Sequence, residues 1–163
     1  MSHLVSMDLK IKDIEAAKAA CNRLGWTFLE NQKTYETFGS WVDDSPVPEQ
    51  LFSPEEYAKV VAMDRKDRKK YMKEVMGRCD HAIKVPGASY EVGLVKKGDE
   101  YIPVFDWFGS GGLRHLKEEP GMAGFLQAYA LECAKRQARK EGKIIGKEVA
   151  LADGWKELTV QEY

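Results

Sequence analysis

The chain has 163 residues, 44% of them hydrophobic and 31% charged, and 25 Lys and Arg against 26 Asp and Glu give a formal net charge of −1. That length favours one domain with a sizeable core, and the composition excludes an intrinsically disordered chain. The near-neutral balance argues against a strongly basic nucleic-acid binder, and no apolar run approaches the ~18 residues of a transmembrane helix.

Val5, Met7, Leu9 and Ile11 alternate with Ser6, Asp8 and Lys10, the period of a half-buried strand. Asp13 stands where an N-cap would. Ile14, Ala17, Cys21 and Leu24 follow at helical spacing, and Gly25 suits the helix stop. Residues 26–38 are rich in aromatics and threonine and predict a second strand with a turn near Asn31. Residues 39–52, with two prolines and three acids, read as an exposed loop. Ser53-Pro54-Glu55-Glu56 is a capping box with proline at the first helical position. The helical region predicted from it breaks at Asp64, runs to Met76 and stops at Gly77.

Tyr90 to Lys96 predicts a strand, Lys97-Gly98-Asp99-Glu100 a tight turn, and Tyr101 to Trp107 its antiparallel return. Pro103 then requires an edge or a gap in the pairing. Pro120 opens the longest helix, with a predicted apolar face of Met122, Phe125, Leu126, Tyr129, Ala130 and Cys133. Val149 and Leu151 lead into a last hairpin around Asp153-Gly154. This order of elements predicts an α+β fold: a split βαβ (ferredoxin-like) antiparallel sheet with helices on one face. It would form a single domain over residues 1–163 with a helical insertion at about 39–77.

A family likeness follows from the same segments. The chain opens Met1-Ser2-His3 before a strand, and its first helix ends Leu24-Gly25-Trp26. Tyr90-Glu91-Val92-Gly93-Leu94, a hairpin, Asp106-Trp107, Phe125-Leu126, Tyr129-Ala130 and a late Asp153-Gly154 come after. In the order and spacing of these segments the chain resembles the uncharacterised conserved proteins of cyanobacteria, plastids and phages called hypothetical chloroplast reading frame thirty-five, or domain of unknown function twelve fifty-seven. The insertion and the Gly-rich run after Trp107 depart from that pattern. The resemblance implies a fold and no known reaction.

Residues 101–116, YIPVFDWFGSGGLRHL, carry the densest chemistry. Gly109, Gly111 and Gly112 could turn backbone N–H groups onto an anion, Arg114 could add a charge beside His115, and Trp41 or Trp107 could stack on a base. Asp106 at a strand end could act as base, ligand or cap. The competing reading is a structural loop, because no Walker pattern follows. The ligand-binding candidates are therefore Trp41, Asp106, Trp107, Gly109, Gly111, Gly112, Arg114 and His115. No metal-ligand spacing links His3, His81, His115 and Cys79, and no catalytic residue or cofactor is expected. Arg65 to Lys73 holds six basic residues in nine, read as a solvated helix face because the charges run almost all round.

The leading expectation is a non-catalytic binding or accessory protein acting through its insertion and the 106–115 rim, with self-association compatible. Alternatives are a binder of a phosphate-bearing small molecule such as a nucleotide, and a metal-assisted hydrolase using Asp106 and the histidines. Expected partners are thus a protein or such a small molecule, with nucleic acid disfavoured and no membrane. Three widely spaced cysteines, Cys21, Cys79 and Cys133, and the lack of a signal-peptide pattern point to a cytoplasmic setting, the host's if the origin is viral.

Overall fold

Five antiparallel strands set the frame of the computed structural model, which describes residues 4–6, 10–38, 47–107, 111–117, 121–152 and 156–161. They are β1 (Leu4–Ser6), β2 (Thr27–Leu29), β3 (His81–Lys84), β4 (Glu91–Lys97) and β5 (Glu100–Asp106), in the spatial order β1-β5-β4-β3-β2. Registers such as Val5↔Phe105, Gly93↔Val104, Ile83↔Val92 and Phe28↔Ile83 fix which side chains share a face. Pro103 pairs with Leu94 toward β4 and lies just past the last β1 pair, Ser6↔Val104. No alternation in the sequence predicts a strand over 81–84, yet β3 forms there and joins β2 to the rest.

Helices α1 (Ile14–Leu24) and α4 (Gly121–Lys140) pack against each other and cover one face. Asp13 accepts from the Ala16 N–H at 3.0 Å to start α1, and the Gly25 N–H closes it on the Asn22 carbonyl. The core between helices and sheet holds Ala17, Ala20 and Cys21 of α1, Met122, Phe125 and Ala128 of α4, and Ile83, Val92, Leu94 and Phe105 of the strands. The buried line of α4 differs from the predicted one: Ala130 is exposed, while Ala128, Leu131 and Glu132 are buried. Phe125 is fully buried, stacked on Trp26 at 5.7 Å and on Tyr129 at 6.4 Å. The Tyr129 hydroxyl accepts from the Lys12 and Asp13 N–H groups, so α4 also fixes the entry to α1.

The opposite face is apolar too, which the expectation of helices on one face did not provide for. Tyr35, Cys79, Ala82 and Val104 are buried there with Leu29, Val95 and Leu51 against them. The Tyr35 ring lies so close over Gly93 that a β-carbon on residue 93 would sit 2.4 Å from it. Only glycine leaves that slot open.

Between β2 and β3 lie α2 (Pro54–Ala62) and α3 (Arg65–Val75), preceded by a 3-10 turn, Glu49–Leu51. The capping box forms: Ser53 Oγ accepts from the Glu56 N–H and the Glu56 carboxylate accepts from the Ser53 N–H. Asp64 ends the first helix and caps the second, accepting from the Lys66 and Asp67 N–H groups. Phe52, Val60, Met72 and Met76 make a small separate core, and Leu51 touches both that core and the sheet's second face.

After α4 comes a hairpin, β6 (Ile144–Ala150) with β7 (Lys156–Gln161), which among the described residues pairs with no other strand. Its register slips by one residue between Ile145↔Val160 and Glu148↔Leu158, a bulge at Gly146-Lys147. That extra residue puts Ile145 and Glu148 on the same side. Glu148 thereby reaches a bidentate bond with Arg23 of α1, at 2.7 and 2.8 Å, and an ion pair with Lys135 of α4. Arg23 and Lys135 also hold the buried Glu132. Among the described residues no helix is long and apolar enough to cross a membrane.

Replacing Phe125 with Ala removes a fully buried ring between two others. The expected loss is about 3–5 kcal/mol, read from a lower urea midpoint at unchanged slope. Acid should act first on the hairpin. Arg23, then Lys135, hold the Glu148 carboxyl at about 2, below its ordinary 4.5. A depressed carboxylate stabilises the folded state above its unfolded pKa and loses that contribution as pH falls through the folded value. The protection factors of the Ile145 and Leu158 amides, which correct exchange for its intrinsic pH dependence, should therefore fall between pH 4.5 and about 2. In Glu148→Gln the protection should be lower from neutral pH and show no step across that window; a wild-type profile in the variant would dissociate the hairpin from this contact.

Candidate functional site

The sequence-predicted rim divides between the two faces of the sheet. Asp106 ends β5 opposite Leu4, 1% exposed, on the face of Val104. Burial pushes the Tyr35 phenol up against a lowering backbone bond from Gly77, and Cys79 and Asp106 add to the rise. Trp107, the next residue, packs half-buried against the core on the helix side. Successive strand residues point opposite ways, so these two cannot line one pocket by alternation alone.

Gly111 and Gly112 have packing reasons to be glycine. A β-carbon on Gly111 would fall inside the Tyr90 ring, 1.7 Å from its nearest atom, and one on Gly112 would lie 2.9 Å from the Ala88 backbone. The Gly111 carbonyl accepts from the Ser89 and Tyr90 N–H groups, both at 3.0 Å. Leu113 and Leu116 are buried, while Arg114 and His115 stand on the exposed side of the short 3-10 turn Arg114–Lys117. Trp41 and Gly109 lie outside the described residues, as does His3.

Titratable groups elsewhere are committed to structure. His81 is buried, edge-on to Tyr101 at 5.0 Å, and its Nδ1 accepts from the Asn31 N–H at 3.0 Å, which leaves the ring proton on Nε2. Burial holds its pKa below the ordinary value. Burial pushes the Cys21 and Cys79 thiols up to about 12 and raises Cys133 as well, the reverse of what a nucleophilic thiolate needs. Among the described residues no three His, Cys, Asp or Glu side chains are grouped to hold a metal ion.

A charged surface groove of about 700 Å³ runs between the start of α1, the β4–β5 turn and the C-terminal half of α4. Its cations and anions are largely matched. Arg136 donates to Asp13 at 2.8 Å, and Lys12 pairs with Glu100 at 3.1 Å. Burial works against the Asp13 carboxylate, but the Ala16 N–H and Arg136 outweigh it and keep the pKa low. The Arg136–Asp13 pair ties the start of α1 to α4, and the Lys12–Glu100 pair ties it to β5.

Helix α3 is different, and sequence reading missed why. Of its six basic residues, Arg68 is turned inward: its guanidinium donates to the carbonyls of Val60, Val61 and Met63, closing the C-terminus of α2. With Arg68 removed from the count, the charges no longer encircle the helix. At 100° per residue Lys66, Lys70 and Lys73 fall within about 60° of arc, directly opposite the inward line of Arg68, Met72 and Val75. All three are exposed and make no ion pair among the described residues. Lys69 extends the stripe on one flank; Asp67 and Glu74 lie on the other. The available signal was that Arg68 shares the helix face of Met72 and Val75.

No protein-family model, curated protein or solved structure matches the chain. The two rim glycines can be tested directly. Gly111→Ala should cost about 1–3 kcal/mol of stability, the overpacking range, because the added methyl must displace the Tyr90 ring. An unchanged midpoint in urea would remove the packing explanation.

Proposed function

We propose that the protein is a non-catalytic binding protein whose contact element is the helical insertion. The observation that carries this reading is the charge-segregated outer face of α3, with Lys66, Lys70 and Lys73 presented on a helix whose opposite side has its own small core. Two devices hold that face in place: the Asp64 cap at its start and the Arg68 bonds to the preceding helix. The rest of the molecule acts as the platform. On this reading the platform is a split βαβ core of the ferredoxin-like kind. In its support, β1 and β2 run parallel at the two edges and α1 joins them; it departs from that pattern in having three strands between them and in leaving β6 and β7, after α4, in a sheet of their own. Leu51 couples the insertion to that platform, because it packs in both places.

The test is site-directed photocrosslinking in the producing cell, with a benzophenone side chain placed at position 70, 84 or 115. A discrete adduct should form from position 70 and none from position 84, which lies exposed at the end of β3. Adducts from position 115 alone would move the contact element to the Arg114–Lys117 turn and overturn the assignment.

A further inference from the structure

The outer face of α3 also defines what it can hold. Resting on the reading of the insertion as the contact element, we propose that this helix grips the phosphate backbone of duplex nucleic acid without reading its sequence. Lys66 to Lys73 spans about 10 Å at 1.5 Å rise per residue. One strand of a duplex places a phosphate about every 3.4 Å along its axis, so the row faces about three successive phosphates. The charge is concentrated here: α3 carries six basic and two acidic residues, in a chain whose formal net charge is −1.

The residue types narrow the partner further. The stripe is lysine throughout, without arginine, asparagine or glutamine; lysine meets phosphate as a compact point charge, whereas planar bidentate contacts to base edges favour those three residues. Arg68, the arginine best centred on the helix, is spent on the carbonyls of α2. The apolar residues of α3 do not accompany the lysines. Tyr71 packs on Phe52 at 6.3 Å, and Met72 and Val75 belong to the same small core. An anionic membrane surface would call for an apolar stripe beside the cations. A single strand would call for exposed aromatics on which its bases stack. Neither is present on this helix, and a duplex backbone needs neither.

The experiment is fluorescence anisotropy of a labelled random-sequence duplex of about 20 base pairs, titrated with the full chain from about 50 to 200 mM salt. Wild type should bind, with affinity falling linearly in log–log form as salt rises. The triple variant Lys66→Gln, Lys70→Gln, Lys73→Gln should bind at least about tenfold more weakly at 100 mM salt and lose about 2.7 from the salt slope, ~0.9 for each phosphate contact. Its far-UV circular dichroism and urea midpoint should match wild type, because the three side chains are exposed. A control triple, Lys84→Gln, Lys147→Gln, Lys156→Gln, changes the net charge equally at other exposed positions and should leave binding within about twofold. No wild-type binding at 50 mM salt overturns the proposal, as does a control that weakens binding as much as the stripe variant. Poly-glutamate and phosphatidylserine vesicles are titrated in parallel. Stripe-dependent binding to either of them but not to the duplex would overturn the nucleic-acid assignment and keep the insertion as contact element. Duplex binding that survives loss of the three lysines would overturn both.

Discussion

A sheet that is apolar on both faces cannot leave either one in water, and this constraint organises the molecule. β4 presents Val92 and Leu94 to one side and Gly93 and Val95 to the other; β5 does the same with Phe105 and Val104. Two helices cover the first face, the usual solution for an α+β layer. Among the described residues the second face has no helix of its own. It is closed by the Tyr35 ring, by Cys79, and by Leu51 reaching in from the insertion. The insertion is thus joined to the domain at the point where the domain lacks cover, and the backbone bond from the Tyr35 N–H to the Gly77 carbonyl links its two ends.

The C-terminal hairpin obeys a different rule. Two strands alone bury too little to hold themselves, and this pair leaves Ile144, Val149 and Val160 substantially exposed. Its attachment is ionic: Glu148 meets a guanidinium from α1 and an ammonium from α4, both already shared with Glu132. The bulge supplies the parity that makes this contact possible. One inserted residue therefore decides whether the hairpin is docked through its charged side or turned over.

What was legible in the sequence was local. The caps at Asp13 and Ser53, the break at Asp64 and the stop at Gly25 depend on residues within four positions of one another, and each forms as read. What was not legible depended on partners far away in the chain. β3 is four residues long and holds a histidine and a lysine, so no alternation marks it; its neighbours on both sides make it a strand. Glu132 is buried in α4 where it meets Lys135 and Arg23, the latter 109 positions earlier, and nothing in the apolar pattern of the helix marks it. The stripe on α3 was hidden by Arg68, whose inward role requires the carbonyls of another helix. At the rim, the ring that requires Gly111 is Tyr90, which spacing along the chain does not reveal. The separation of Asp106 from Trp107 was available all along, from strand alternation.

The two tyrosine–glycine contacts have a historical consequence. Tyr35 over Gly93 and Tyr90 over Gly111 each press an irregular segment against a backbone with no room for a β-carbon. The glycine of a couple cannot gain a side chain while its ring remains. A descendant that gains a side chain at 93 or 111 must first, or at once, exchange its ring for something smaller, and a descendant that has already lost the ring is released from the need for glycine. Across diverging lineages the two positions of each couple should change as one character, and a chain bearing both the ring and a substituted glycine should be the combination that evolution leaves empty.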